Sequence, residues 1–238
     1  MAKLEITPIS PVLGAEVRGV DLADGIDDVM FAVLHAAFLD HGVLLFKDQT
    51  SMVADVQVAF ARRLGPLHEH PAAPAEHDDP AVFLIRTHRD SPISNGNGWH
   101  SDVSCAEEPP SVTMLQVHVL PEGGGGDTLF ADMEVAYASL EPDVGFRLCG
   151  LSARHGSEHV YRGRYADRGA VEDGVTYPTA VHPVVRTHPE TSRRSLFANR
   201  RSPSASRVST GTIHRRPPCD CRWVGWPEPV RPAHVGPV

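Results

Sequence analysis

Apolar and polar positions alternate at the start of the chain in two short runs, Leu4-Glu5-Ile6-Thr7 and Ala15-Glu16-Val17-Arg18, set around proline and glycine. Period-two alternation bounded by turn formers predicts a β-hairpin between Leu4 and Asp21. The period then changes: Met30, Phe31, Val33, Leu34, Ala37 and Phe38 recur at helical spacing, with Asp27 placed to cap a helix running to about Asp40 and Gly42 placed to stop it. Val43-Leu44-Leu45-Phe46 is an apolar run of strand length, and Ser51 is placed to cap a second helix through Leu64, closed by Gly65-Pro66. After a Pro/Ala/Asp loop at 71–80, short strands are predicted at Val82–Arg86, Val112–Leu120 and Thr128–Ala131, the last two joined by the Gly123–Gly126 run. Short helices at 133–140 and 143–149 and further strands at 152–160, 181–187 and 195–199 follow. Two early helices and many short strands imply a mainly β fold with flanking helices, an antiparallel sandwich or jelly roll.

Composition and charge narrow the function classes. With 238 residues, 41% hydrophobic and 22% charged, the chain suits one large globular domain or two small ones, and no apolar run reaches the roughly 18–20 residues of a membrane span. A net charge of −8 repels phosphate backbones and anionic headgroups, so neither nucleic acid nor membrane is expected as a partner. The first residues lack the features of a secretory leader, which makes the cytoplasm the expected compartment and the four cysteines thiols. The charge is unevenly spread: residues 1–200 carry a net −12 and residues 201–238 a net +4, with seven of the 21 prolines in that last stretch. Residues 1–200 are therefore expected to form the domain, and 201–238 a basic Pro/Arg/Ser-rich tail without a packed core.

Fourteen histidines invite a test of the His-x-Asp spacing, because residues two apart on a strand project from one face and can hold one metal ion. Random placement gives about one such triplet, and three occur: His77-Asp79, His88-Asp90 and His100-Asp102. Context separates them. The first lies in the Pro/Ala/Asp loop and the second just past a predicted strand beside Ser and Pro, both surface settings. His100 and Asp102 follow Asn95-Gly96-Asn97-Gly98-Trp99, a glycine-loosened loop that delivers an aromatic and then the pair towards Val103-Ser104-Cys105. Cys105 and Cys149 read as core residues.

Trp99-His100-Ser101-Asp102-Val103, with Glu108-Pro109-Pro110-Ser111 after it, resembles the metal-binding segment of the taurine dioxygenase-like (TauD/TfdA) family of Fe(II)- and 2-oxoglutarate-dependent dioxygenases. Five further segments agree in order: Gly14–Leu22, His41–Gln49, Leu64–Pro71, Gly125–Asp132 and His182–Thr191. The resemblance covers about residues 1–200 and implies a double-stranded β-helix, that is a jelly roll, with Fe(II) as cofactor and 2-oxoglutarate and O2 as co-substrates. It implies His100 and Asp102 as two of three iron ligands, Thr128 as a hydroxyl donor to 2-oxoglutarate, and His70 with Asn95 or Asn97 as contacts to a small organic substrate, a sulfonate or an alkyl sulfate. His68 is given no role by it and reads as structural or exposed.

The family's distal histidine, and the arginine about ten residues later that pairs with the 2-oxoglutarate carboxylate, are not matched after Leu196-Phe197-Ala198-Asn199-Arg200. His214 and His234 occur there without the family's surroundings. The 201–238 composition reads as a translation out of frame, and its rivals are a genuine basic arm or a small zinc site from Cys219 and Cys221 with His214 and His234. The fold is therefore expected to be incomplete at its C-terminus, with open sheet edges that favour a homo-oligomer. The alternative to a working dioxygenase is a non-catalytic remnant of the family, acting at most as a binding or oligomerisation module.

Overall fold

The computed structural model describes residues 3–70, 77–87, 96, 98–166, 169 and 173–198, together with the backbone of His214–Arg215. Two compact units form. Of the described residues, the first takes the chain up to Pro66 and Val112–Ala136; the second takes those of Leu67–Ser111 and those from Tyr137 to Arg215.

In the first unit, β1 (Glu5–Pro8) pairs antiparallel with β2 (Ala15–Arg18), and β2 pairs parallel with β3 (Leu44–Phe46). Ala15 and Val17 therefore sit on the central strand, and both are fully buried. Between β2 and β3 runs α1 (Asp28–His41). Its start and stop follow the local chemistry: the Asp27 carboxylate accepts the Met30 N–H at 2.7 Å, and Gly42 closes the helix in the left-handed region at φ 68°. Phe31 of α1 and Phe46 of β3 each meet Phe60 of α2 (Ala54–Leu64) edge to face, and the Arg63 guanidinium covers the Phe31 ring. The Gln49 side chain ties the chain after β3 back to the first turn, accepting from Leu22 N–H and donating to the carbonyls of Val20 and Lys47.

Gly19 closes the hairpin where no other residue fits. Its φ is +79°, and a Cβ there would stand 2.2 Å from the Lys3 carbonyl oxygen. Gly19→Ala is expected to destabilise the protein by about 2 kcal/mol or more, read as a lower urea midpoint at unchanged m value. An unchanged midpoint would show that the hairpin end does not hold the Lys3 backbone against it.

The second unit holds α4 (Pro142–Cys149), β4 (Leu151–Gly156), α5 (Glu158–Tyr161), β5 (Thr179–Pro183), and the antiparallel pair β6 (Val185–Thr187) and β7 (Arg194–Leu196). Before them, α3 (Met133–Ala138) crosses from one unit to the other. β4 lies between β5 and the two-residue β8 (His214–Arg215), antiparallel to both, with Ala153 opposite His182 and His155 opposite Ala180. Alternation places His155 and His182 on the same face.

Several expectations are corrected. The described residues make a mixed helix and strand fold with no closed barrel, rather than a mainly β one. Among the described residues, Val82–Arg86, Val112–Leu120 and Thr128–Ala131 form no strand, and Thr128 alone makes an isolated bridge; β-propensity becomes a strand only where a neighbour supplies the ladder. The second helix begins at Ala54 with Val53 at its cap, not at Ser51: Met52 is buried and its N–H closes a turn onto the Gln49 carbonyl. The strand expected over 152–160 ends at Gly156, where the Ser157 N–H and hydroxyl both donate to the Pro178 carbonyl and turn the chain into α5. Among the described residues no helix is long and apolar enough to cross a membrane.

Candidate functional site

The His100–Asp102 pair sits on a loop of the second unit, shaped by glycine before it and by strain after it. Gly98 takes φ +100°, and its carbonyl lies 2.8 Å from His100 Nδ1. A carbonyl only accepts, so Nδ1 carries the proton and Nε2 presents its lone pair in the neutral ring. Nε2 faces Asp102 Oδ1 at 3.1 Å, and both side chains are close to half exposed. Two lone-pair atoms at that separation repel unless a proton or a cation joins them. Two atoms each about 2.1 Å from a divalent ion and at right angles around it lie about 3.0 Å apart, so the pair matches two neighbouring ligands of one metal. No group of three or more His, Cys, Asp or Glu suited to a metal occurs among the described residues, so the pair stands there without a third protein ligand.

Directly after Asp102, Val103 has φ +44°, a conformation that costs a β-branched residue of order 1–3 kcal/mol. The turn closes with the Ala106 N–H donating to the Val103 carbonyl at 2.9 Å. It drives Cys105 into a core with Tyr161 and Tyr165, against which Phe83, Val103, Val160 and Tyr177 pack. Burial pushes the Cys105 thiol up, although Ser157 and Tyr161 hydrogen-bond to it.

His70 lies in the same aromatic wall. Its ring stacks on Phe83 at 4.9 Å and meets the edges of Tyr161 and Tyr165 at 5.1 and 5.6 Å. Burial, then the charges of His68 and Arg164, lower its pKa to about 4 against the pull of Asp102, so the imidazole is neutral at pH 7. Burial raises the Tyr161 phenol far above the ordinary tyrosine range, with Cys105, Tyr165 and Asp102 adding to it. Asp102 thus acts electrostatically on both His70 and Tyr161, and these residues belong to one local environment.

The other expected residues fall differently. Thr128 is a half-buried residue of the first unit. Asn95, Asn97 and the His88-Asp90 triplet lie outside the described residues, as do Cys219, Cys221 and His234. His77 is engaged locally: its Nδ1 accepts the Asp79 N–H at 3.0 Å while Asp79 accepts from Ala81 N–H, which makes this triplet a turn. His68 is half-buried with its Nε2 out of solvent and without a hydrogen bond among the described residues, and burial lowers its pKa against the opposing Glu69 charge. Cys149 is half-buried, 3.4 Å from the Tyr137 hydroxyl.

A cluster not singled out from the residues lies beside the loop. His155 stacks on Phe197 at 5.1 Å, His182 meets both rings edge-on, and the Arg186 guanidinium covers Phe197 at 4.5 Å. Burial, the His182 and Arg186 charges hold the His155 pKa at about 4, and burial lowers that of His182 too. The available signal was a histidine inside each of two short segments of strand length, 151–156 and 179–183.

Three kinds of similarity bear on this geometry. The profile of the taurine catabolism dioxygenase TauD, TfdA family matches residues 5–229. An (S)-phenoxypropionate/alpha-ketoglutarate-dioxygenase of Sphingobium herbicidovorans is 35% identical over 206 residues, covering 82% of this chain and 70% of its own length. An alpha-ketoglutarate-dependent sulfate ester dioxygenase of Pseudomonas putida is 31% identical over 202 residues, covering 82% of this chain and 65% of its own. The crystal structure of a taurine dioxygenase from Burkholderia xenovorans matches with a TM-score of 0.58 at 26% identity, over 84% of this chain and 64% of that one. The chain therefore spans less than two thirds of the last two relatives.

Proposed function

Because the chain belongs to the taurine catabolism dioxygenase TauD, TfdA family, we propose that it serves Fe(II)- and 2-oxoglutarate-dependent hydroxylation of a small organic anion, a sulfonate, alkyl sulfate or aryloxy acid. The observation that carries this reading is the convergence of His100 Nε2 and Asp102 Oδ1 at 3.1 Å beside a wall holding a neutral His70. When bound, iron with 2-oxoglutarate and O2 supplies the oxidising power for C–H hydroxylation, with release of succinate and CO2.

The chain's own residues prepare that chemistry. His100 and Asp102 would hold the ion from one side. His70, kept neutral, offers a substrate oxygen a single N–H without adding a competing charge. Arg164 acts on His70 through space and favours an anion there. Phe83, Tyr161 and Tyr165 keep water from that side. Thr128 would donate its hydroxyl to 2-oxoglutarate, and Asn95 or Asn97 would line the substrate pocket. A jelly roll is the architecture proposed for the complete fold, and the cytoplasm its compartment. The family profile reaches residue 229 and His214–Arg215 pairs with β4, so residues 201–238 are proposed to be a divergent basic continuation of the domain in which the distal histidine and arginine are not matched. A co-substrate carboxylate buried without its arginine loses about 3–5 kcal/mol.

Anaerobic loading with Fe(II), then O2 and 2-oxoglutarate with a panel of alkyl sulfates, sulfonates and phenoxypropionate, tests the reading. The expected result is slow succinate release that depends on iron and is absent in His100→Ala. Succinate release that survives His100→Ala would overturn the site assignment. No release at millimolar 2-oxoglutarate would favour the non-catalytic remnant.

A further inference from the structure

We infer that His182 is a positioning residue for the metal site: its ring N–H, shared between two carbonyls of the loop after Asp102, holds the turn that keeps the Asp102 carboxylate beside His100. The inference rests on the reading of His100 and Asp102 as ligands.

His182 lies on β5 and is 4% exposed. Its Nε2 stands 3.0 Å from the Ser104 carbonyl oxygen and 3.0 Å from that of Ala106. Both carbonyls can only accept, so Nε2 carries the proton and donates to the two at once. The ring has little freedom to leave, because the rings of His155 and Phe197 each meet it edge-on at 5.2 Å.

The two carbonyls flank Cys105 and converge on one donor only while the 103–106 turn is closed. That turn includes Val103 at φ +44°, a conformation a valine leaves unless its surroundings hold it. Asp102 is the next residue up the chain, so relaxing Val103 to negative φ reorients the peptide that carries its carboxylate. His182 therefore ties a ligand loop to a sheet residue 80 positions away in sequence. Outer partners of metal ligands commonly control affinity by 10–100-fold in this manner.

The full chain titrated with Mn(II) alone, with free ion followed by electron paramagnetic resonance, tests this. His182→Phe keeps the ring packing and removes the donor, whereas His182→Gln keeps an N–H donor. The expected result is a dissociation constant about tenfold or more weaker for His182→Phe and within about threefold of wild type for His182→Gln. In a Val103→Gly background, where glycine takes φ +44° without strain, His182→Phe should cost less than about threefold. Wild-type affinity in His182→Phe, alongside loss in Asp102→Ala, would overturn the positioning role and leave the ligand reading intact. An equal loss in the valine and glycine backgrounds would also overturn it. If His182→Phe loses its cooperative melt, a tenfold loss in a folded His182→Gln overturns it. Failure of wild type to bind Mn(II) would overturn the ligand reading and this inference with it.

Discussion

Alanine at His100 or at Asp102 is expected to weaken Fe(II) or Mn(II) binding by about 100-fold or more, equivalent to about 2.8 kcal/mol. The size follows from how few groups converge. Among the described residues the pair has no third metal-binding neighbour, so each substitution removes half of the protein donors shown there. The two losses differ in kind. Asp102→Ala removes the pair's only formal charge and with it most of the salt dependence of binding, whereas His100→Ala leaves a carboxylate that still attracts the cation weakly. His77→Ala should bind as wild type, since that ring is occupied by the Asp79 N–H within its own turn. His88→Ala is expected to do the same. Equal metal affinity in wild type and His100→Ala, measured by anaerobic titration, would sink the assignment.

Local chemistry made the N-terminal elements legible. Asp27 and Gly42 bracket α1 because a carboxylate can reach the Met30 N–H and glycine alone takes the closing conformation without strain, and both demands are satisfied within a few residues. Ser51 failed as a cap for a non-local reason: Met52 is drawn into the core, and the chain spends two more residues turning before the helix begins. The apolar run 112–120 carries strand propensity, yet propensity says nothing about which distant backbone lies beside it. Pairing is where short-range reading ends.

The site divides in the same way. The His100–Asp102 pair, two residues apart and preceded by Gly96 and Gly98, is a local pattern and could be singled out as a candidate by its surroundings. The wall around His70 could not: Phe83, Tyr161 and Tyr165 come from segments up to 95 residues from it, and only tertiary structure gathers them. His182 was visible as part of a family-like segment, but its reach to Ser104 and Ala106 links residues 78 and 76 positions apart, which only tertiary structure brings together.

That buried histidine chemistry makes the fold sensitive to acid. His155, 8% exposed, and His70 both have folded pKa values of about 4 against an unfolded value near 6.5. Between those values the unfolded chain binds protons that the folded chain refuses, so stability falls as pH falls, starting near 6.5 and levelling off near 4. His182 and His68 are lowered as well and act with the same sign. For His155 the full loss is about 3 kcal/mol; His70 adds somewhat less, because solvent reaches it more. Together these approach the lower end of the roughly 5–15 kcal/mol that holds an ordinary domain folded. Urea midpoints measured from pH 7.5 to 5, where carboxylates still carry charge in both states, should fall steadily below pH 6.5. His155→Phe keeps a ring against Phe197 without a proton to accept, and should reduce the uptake on unfolding by nearly one proton. Midpoints that stay level across that range would mean that His155 and His70 protonate within the folded protein, and that their rings are not held dry by Phe197 and by the tyrosine wall.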